Sequence, residues 1–114
     1  MEKASEKLEE INEVLNRLKK KYPVETDAFM NFMKQAEAGP ALGHKEKEII
    51  NIALSVSAQC EWCISLHVKY ALAAGATEDE IIEAAYLAVL MHGGPALMYI
   101  IPLMEAIDEF SSNK

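Results

Sequence analysis

Residues 48–67 read EIINIALSVSAQCEWCISLH and contain both cysteines of the chain, Cys60 and Cys63, with His67 four positions further on. Residues three and four apart lie on the same face of a helix, so the two thiols and the imidazole are predicted to face one way. A cysteine is a nucleophile only as the thiolate, which requires a nearby proton acceptor. The spacing therefore indicates thiol chemistry.

The pair Cys60 and Cys63 is suited to a disulfide, because neighbouring helical turns bring Cα atoms within the roughly 4.4–6.8 Å that the bond requires. The closed loop is very short, so the bond would be easily cycled rather than structural. Cys60 lies near a predicted helix N-terminus, which favours a thiolate. His67 is placed to accept or pass on the proton of Cys63. Glu48, on the preceding helix, would approach the thiols if the two helices pack antiparallel.

The composition indicates one domain, residues 1–114, that is acidic and rich in apolar side chains. Hydrophobic residues make up 51% of the chain, which favours a buried core plus an oligomer interface. Acidic residues exceed basic ones and give a net charge of −7, so we expect no binding to nucleic acid. The N-terminus is charged from its second residue, which predicts a cytoplasmic protein, where a cysteine pair is more often catalytic or metal-binding than structural.

Residues 84–104 contain no Asp, Glu, Lys or Arg, and a run of about 20 apolar residues is long enough to cross a bilayer. The run is interrupted by Gly93-Gly94-Pro95 and again by Pro102, which predicts two shorter helices. We therefore expect core and subunit interface here, and no membrane association.

Apolar periodicity predicts an all-α fold of six helices. No stretch alternates apolar and polar residues over enough positions to form a strand. The expected helices span residues 5–22, 26–38, 44–58, 60–74, 77–92 and 95–110. The second is expected to place Phe29, Phe32, Met33 and Ala36 in the core. A capping box at Thr77–Glu80 begins the fifth, and the sixth is expected to be distorted near Pro102. Residues 111–114 are expected to form a loose tail.

The positions of Glu48, Cys60, Cys63 and His67 resemble the Glu…Cys-x-x-Cys-x-x-x-His signature of the alkylhydroperoxidase D-like group within the carboxymuconolactone decarboxylase superfamily. Two further segments are similar to that group, the turn at residues 74–81 and the small-residue break at residues 93–96. The similarity spans roughly residues 26–108, and the full pattern is far more specific than an isolated Cys-x-x-Cys.

The resemblance implies a compact six-helix bundle that assembles as trimers or hexamers and acts as a thiol-dependent peroxidase or disulfide oxidoreductase. It makes Cys63 the residue that attacks a hydroperoxide and becomes a sulfenic acid, which Cys60 resolves to the disulfide. It makes Glu48 and His67 the proton relay. A dithiol donor, lipoyl or thioredoxin-like, would restore the thiols.

The helix dipole favours Cys60 as the more acidic thiol, whereas the resemblance and the His67 spacing favour Cys63 as the attacking residue, and we follow the second assignment. Trp62 stands between the cysteines, where active members of the group can carry a second histidine. We predict no metal site, because Cys, Cys and His supply three ligands and a structural zinc normally has four. We also predict no cofactor.

Other interpretations remain open for the whole chain and for single residues. A decarboxylase of a carboxylated lactone is one alternative, although that chemistry has no evident need for a redox pair. A redox-responsive oligomer without turnover is another, and two simply buried cysteines are a third. His92 is expected to end a helix and His44 to lie in a loop, while Trp62 and Tyr70 are expected to pack in the core or an interface.

Overall fold

The computed structural model describes residues 3–111, and over that range it contains helices and no strand. The predicted all-α fold is therefore confirmed. Of the tail predicted at residues 111–114, Ser111 is instead the last residue of a helix, and residues 112–114 lie outside the described residues. In chain order the helices are α1 (Ala4–Lys21), α2 (Pro23–Ala38), α3 (His44–Ser57), α4 (Glu61–Ala73), α5 (Glu78–His92), α6 (Gly94–Met98) and α7 (Ile100–Ser111).

The core lies around α4, which packs between α3 and α7, while α3 also packs against α5. Its largest apolar side chains are completely buried, and burying each contributes about 1.5–3 kcal/mol. They are Ile52 and Val56 of α3, Ile64 and Val68 of α4, Ile81 of α5, and Leu103 and Ile107 of α7. This packing holds α3 and α4, which carry the predicted site, in one fixed arrangement.

The predicted sixth helix is divided into α6 and α7 at Tyr99, three residues before Pro102. A proline inside a helix lacks the N–H that would bond to the carbonyl four residues earlier, and its ring clashes with that carbonyl. In the structure the first segment ends before this conflict, with the Tyr99 N–H bonded to the Ala96 carbonyl. Pro102 then falls in the first turn of α7, where an N–H would have no intrahelical partner.

The uncharged run at residues 84–104 forms parts of three helices, where the sequence predicted two. Gly93 breaks it with φ 73° and ψ −146°, a conformation that is open essentially to glycine alone. The buried residues of the uncharged run are small or face the core, whereas Leu87, Leu90 and Met91 are exposed on the single chain. None of the helices between residues 3 and 111 combines the length and apolar composition needed to span a membrane.

The second helix differs from its prediction, since no residue of α2 is buried. Phe29 is 58% exposed and Phe32 65%, and Met33 and Ala36 also keep solvent-accessible surface. The periodicity correctly identified a helix with an apolar face, but α2 packs mainly on α1, which does not cover that face. Placing these four residues in the core was therefore wrong for the single chain.

The α4–α5 turn has a left-handed glycine, followed by the capping box that the sequence predicted. Gly75 has φ 95°, and the N–H groups of Gly75 and Ala76 bond back to carbonyls of the last turn of α4. The Thr77 side chain accepts from the Glu80 N–H at 3.1 Å, and the Glu80 carboxylate accepts from the Thr77 N–H at 2.9 Å. Lys45 of α3 donates to the same carboxylate at 3.0 Å. The box therefore also joins α5 to α3.

Glu80→Gln is expected to change the pH dependence of stability. The Thr77 N–H and then Lys45 hold the pKa of the Glu80 carboxyl below its ordinary 4.5. A lowered folded-state pKa stabilises the fold above the unfolded pKa, and this contribution is lost as the pH falls through the folded value. Urea unfolding of wild type and Glu80→Gln should therefore differ most at neutral pH, and the difference should shrink as the pH falls below 4.5 and through the lowered folded value. Glu83→Gln, on the same helix, is the control, and an equal effect there would contradict the assignment.

Candidate thiol site

The turn from α3 to α4 brings the chain back on itself and presents Cys60. Gln59 is the only described non-glycine residue with a left-handed backbone, at φ 57°. Its N–H bonds to the Val56 carbonyl and the Cys60 N–H bonds to the Ser55 carbonyl, each at 3.1 Å. These two bonds form the Schellman ending of a helix, usually made by glycine. Sequence reasoning predicted a short break here but did not identify Gln59 as the residue that reverses the chain.

Cys60 is the N-cap residue of α4 and forms a disulfide with Cys63. The two Cα atoms are 5.3 Å apart, which agrees with the distance expected from the spacing. The Cys60 sulfur also accepts a hydrogen bond from the Cys63 N–H at 3.2 Å. An N-cap sulfur lies where unpaired N–H groups and the helix dipole favour negative charge, so the geometry stabilises a thiolate at Cys60 once the bond is reduced.

Glu48 and His67 form a hydrogen-bonded pair between α3 and α4. The Glu48 Oε1 and His67 Nδ1 atoms are 2.7 Å apart. Glu48 is only 1% exposed, and 15% of the His67 side chain is accessible. When the carboxylate is ionised, the Nδ1–H donates to it, and the neutral ring then presents Nε2 as a proton acceptor. The sequence could only suggest this contact, because residues 19 positions apart meet through the α3–α4 packing.

His67 follows Cys63 by one turn of α4, and 15% of its side chain is accessible. The ring of Tyr70 meets the imidazole edge to face, with centroids 6.4 Å apart and an interplanar angle of 73°. Tyr70 itself is 43% exposed, so it restrains the imidazole from the surface side. The four predicted site residues therefore lie at one junction, with the thiols on the first turn of α4 and the acid–imidazole pair beneath the following turn.

The first helix contacts both residues between the cysteines, which sequence reasoning did not anticipate. The Trp62 Nε1–H donates to Glu10 Oε1 at 2.9 Å, and Lys7 Nζ lies 3.6 Å from Glu61 Oε1. Lys7 is 7% exposed, which is unusual for a lysine. Nothing in a helix of alternating charges distinguishes these two residues from their neighbours. Contacts more than 50 residues apart follow only from how α1 docks on α4.

The two other histidines do not join the acid–imidazole pair. His44 is the first residue of α3 and His92 the last residue of α5, and both are exposed. His92 thus ends a helix as expected, whereas the loop predicted for His44 is a helix start. Trp62 and Tyr70 are partly exposed rather than in the core. Between residues 3 and 111, no group of three or more His, Cys, Asp or Glu side chains is arranged to hold a metal ion.

The model of the carboxymuconolactone decarboxylase family matches residues 23–106, which include all four site residues. The chain belongs to the carboxymuconolactone decarboxylase family. Its match begins at α2 and ends within α7, so α1 lies outside it.

Solved structures and a bacterial relative agree with this placement. A carboxymuconolactone decarboxylase family protein from Legionella pneumophila is 36% identical and superposes with a TM-score of 0.90, covering 95% of this chain and 96% of its own. A family protein from Thermotoga maritima, for which a part in an antioxidative response has been suggested, has a TM-score of 0.82 at 23% identity and covers 90% of this chain and 88% of its own. That second likeness shows the fold alone. An uncharacterized protein of the cox locus in Paracoccus denitrificans is 37% identical over 83 residues, which are 73% of this chain and 75% of the relative.

Proposed function

We propose that this chain is a thiol-dependent peroxidase that reduces hydroperoxides by cycling Cys60 and Cys63 between dithiol and disulfide. The observation that carries the proposal is the junction itself: a cysteine pair at a helix N-terminus, one turn from an imidazole that is hydrogen-bonded to a buried carboxylate. A nucleophile, a base and a group that orients the base are the parts required for activated thiol chemistry.

The reaction is written in three balanced steps. The Cys63 thiolate attacks the terminal oxygen of the hydroperoxide, the O–O bond breaks, and the alkoxide takes a proton to leave as the alcohol. The sulfenic acid at Cys63 then reacts with the Cys60 thiol, forming the disulfide and releasing water. An external dithiol, lipoyl or thioredoxin-like, gives two electrons and two protons to restore both thiols and becomes a disulfide itself.

Glu48 and His67 supply the proton movements in this scheme. His67 accepts the Cys63 proton and returns it to the leaving alkoxide, while Glu48 holds the ring in the tautomer whose free nitrogen is the acceptor. Placing the carboxylate in the core keeps its orientation constant through the cycle. The N-cap position of Cys60 favours this sulfur as a thiolate leaving group when the disulfide is later reduced.

We further propose that the protein acts in the cytoplasm as a homo-oligomer, a trimer or hexamer. The support is a set of large apolar side chains that the single chain leaves exposed. It includes Phe29 and Phe32 on α2 and Leu87, Leu90 and Met91 on α5, each more than half exposed on the single chain. Light scattering of the purified chain measures the assembled mass, and a monomer at micromolar concentration would contradict the proposal.

Intact-mass spectrometry of the reduced protein tests the proposed function directly. Addition of less than one equivalent of hydroperoxide should remove two hydrogens from a matching fraction of chains, and a dithiol should restore them. Cys60→Ser/Cys63→Ser is the control and should keep its mass. Thiols that stay reduced in the wild type would overturn the proposal. Oxidation that alters the oligomeric mass without catalytic peroxide consumption would favour a redox-responsive protein without turnover.

A decarboxylase acting on a carboxylated lactone is the second candidate, and the description of the matching family favours it. This chemistry needs an acid–base pair but no thiol redox couple. Lactone turnover that survives in Cys60→Ser/Cys63→Ser and is lost in Glu48→Gln would support it over the peroxidase.

A further inference from the structure

The contacts of α1 fall on the two residues enclosed by the disulfide, Glu61 and Trp62. Glu10 accepts the Trp62 Nε1–H, and Lys7 pairs with Glu61. Lys7 and Glu10 are three positions apart, so they lie on one face of α1. We propose that they are positioning residues that favour the disulfide form of the Cys60–Cys63 pair over the dithiol. The inference rests on the proposed function in taking the pair to cycle between these forms.

The docking of α1 makes these contacts part of the packed structure. Ala4 is buried against the core, and the Lys7 side chain enters a cleft of about 180 Å³ between α1, α4 and α7. Glu61 and Trp62 line the same cleft. A lysine removed from water in this way is held to its carboxylate partner Glu61 by the cost of leaving a buried charge unpaired. The α1 face is therefore anchored independently of the cysteines and can restrain the residues between them.

The effect on redox equilibrium follows from thermodynamic linkage. Closing the disulfide orders the backbone of residues 60–63, and the α1 contacts order the two central residues of the same segment. When one of these constraints is already present, imposing the other costs the segment less conformational entropy. Each constraint therefore stabilises the other by the same factor. Contacts from α1 therefore raise the effective concentration of one thiol for the other and make the disulfide harder to reduce.

Redox titration of the pair with glutathione is the test. The disulfide takes two electrons and two protons from two glutathione thiols, which become glutathione disulfide. Glu10→Ala and Trp62→Phe should each shift the equilibrium about three- to tenfold towards the dithiol, which is about 15–30 mV for a two-electron couple. The two changes remove the same hydrogen bond, so the double variant should shift no further than the larger single effect.

Two variants of α1 control for charge and for structure. Glu10→Gln keeps an oxygen that accepts the Trp62 Nε1–H and should stay within about twofold of wild type. Glu13→Ala removes the same charge from an exposed position of α1 and should also stay within about twofold. Unshifted equilibria in Glu10→Ala and Trp62→Phe would overturn the proposal, and so would an equal shift in Glu13→Ala.

Thermal unfolding of each variant in both redox forms separates positioning from simple support of the fold. The linkage requires Glu10→Ala to lower the midpoint of the oxidised protein more than that of the reduced protein, whereas a purely structural contact lowers both equally. The titration contains no peroxide, so its outcome is independent of peroxidase activity. A normal titration without peroxide turnover would count against the proposed function alone, and normal turnover with unshifted equilibria would count against the positioning role alone.

Discussion

Replacing Cys63 by serine is expected to abolish peroxide-dependent turnover, lowering the rate by about 10³-fold or more. The reason is that a serine hydroxyl is not ionised near neutral pH, whereas a cysteine thiol ionises with a pKa of about 8.5 before any help from its surroundings. Steady-state peroxide consumption with a dithiol donor measures this loss.

The matched variant Cys60→Ser distinguishes attack from resolution. It should consume one equivalent of peroxide and then stop, leaving a sulfenic acid at Cys63 that a dimedone-type reagent traps for mass spectrometry. The opposite pattern, with a sulfenic acid at Cys60 in Cys63→Ser and none in Cys60→Ser, would reverse the roles. That outcome would mean that the N-cap geometry of Cys60 outweighs the one-turn spacing between Cys63 and His67.

Glu48→Gln is expected to slow the oxidation of the reduced thiols by about 10²-fold, at the lower end of what general acid–base catalysis contributes. The amide keeps the volume of the carboxylate and an oxygen that can accept the His67 Nδ1–H, but it no longer stabilises the charged imidazolium. Stopped-flow fluorescence can follow the single turnover, because the sole tryptophan, Trp62, lies between the cysteines.

Glu46→Gln provides the control for that experiment, since Glu46 is exposed on the same helix two residues away. It should react at the wild-type rate. Glu48→Ala should be slowed like Glu48→Gln and also be less stable, by about 1–3 kcal/mol, because it leaves a buried hydrogen-bonding partner unpaired. A Glu48→Gln rate within twofold of wild type would remove Glu48 from the relay and leave it a purely structural role.

Local sequence signals predicted the helices closely, because their causes are local. The periodicity of apolar residues, the Thr77–Glu80 capping box and the left-handed Gly75 each act within a few residues. The distortion expected near Pro102 takes the form of a break at Tyr99, three residues earlier, because a proline disrupts the turn that precedes it. The same periodicity wrongly placed the apolar face of α2 in the core. An apolar helical face indicates that something packs on it, but not whether the packing partner is this chain or another.

The sequence by itself determined the all-α fold, the spacing that places Cys60 and Cys63 within disulfide distance, and, through its resemblance, the family to which the chain belongs. These properties depend on residue types at short spacings. Only the tertiary structure decided that Glu48 bonds to His67 across α3 and α4, and that α1 contacts the residues between the cysteines. Those contacts join residues that are 19 or more positions apart in the sequence, so they depend on how the helices pack. One helical face can pair with others in many ways, and the core packing selects one of them.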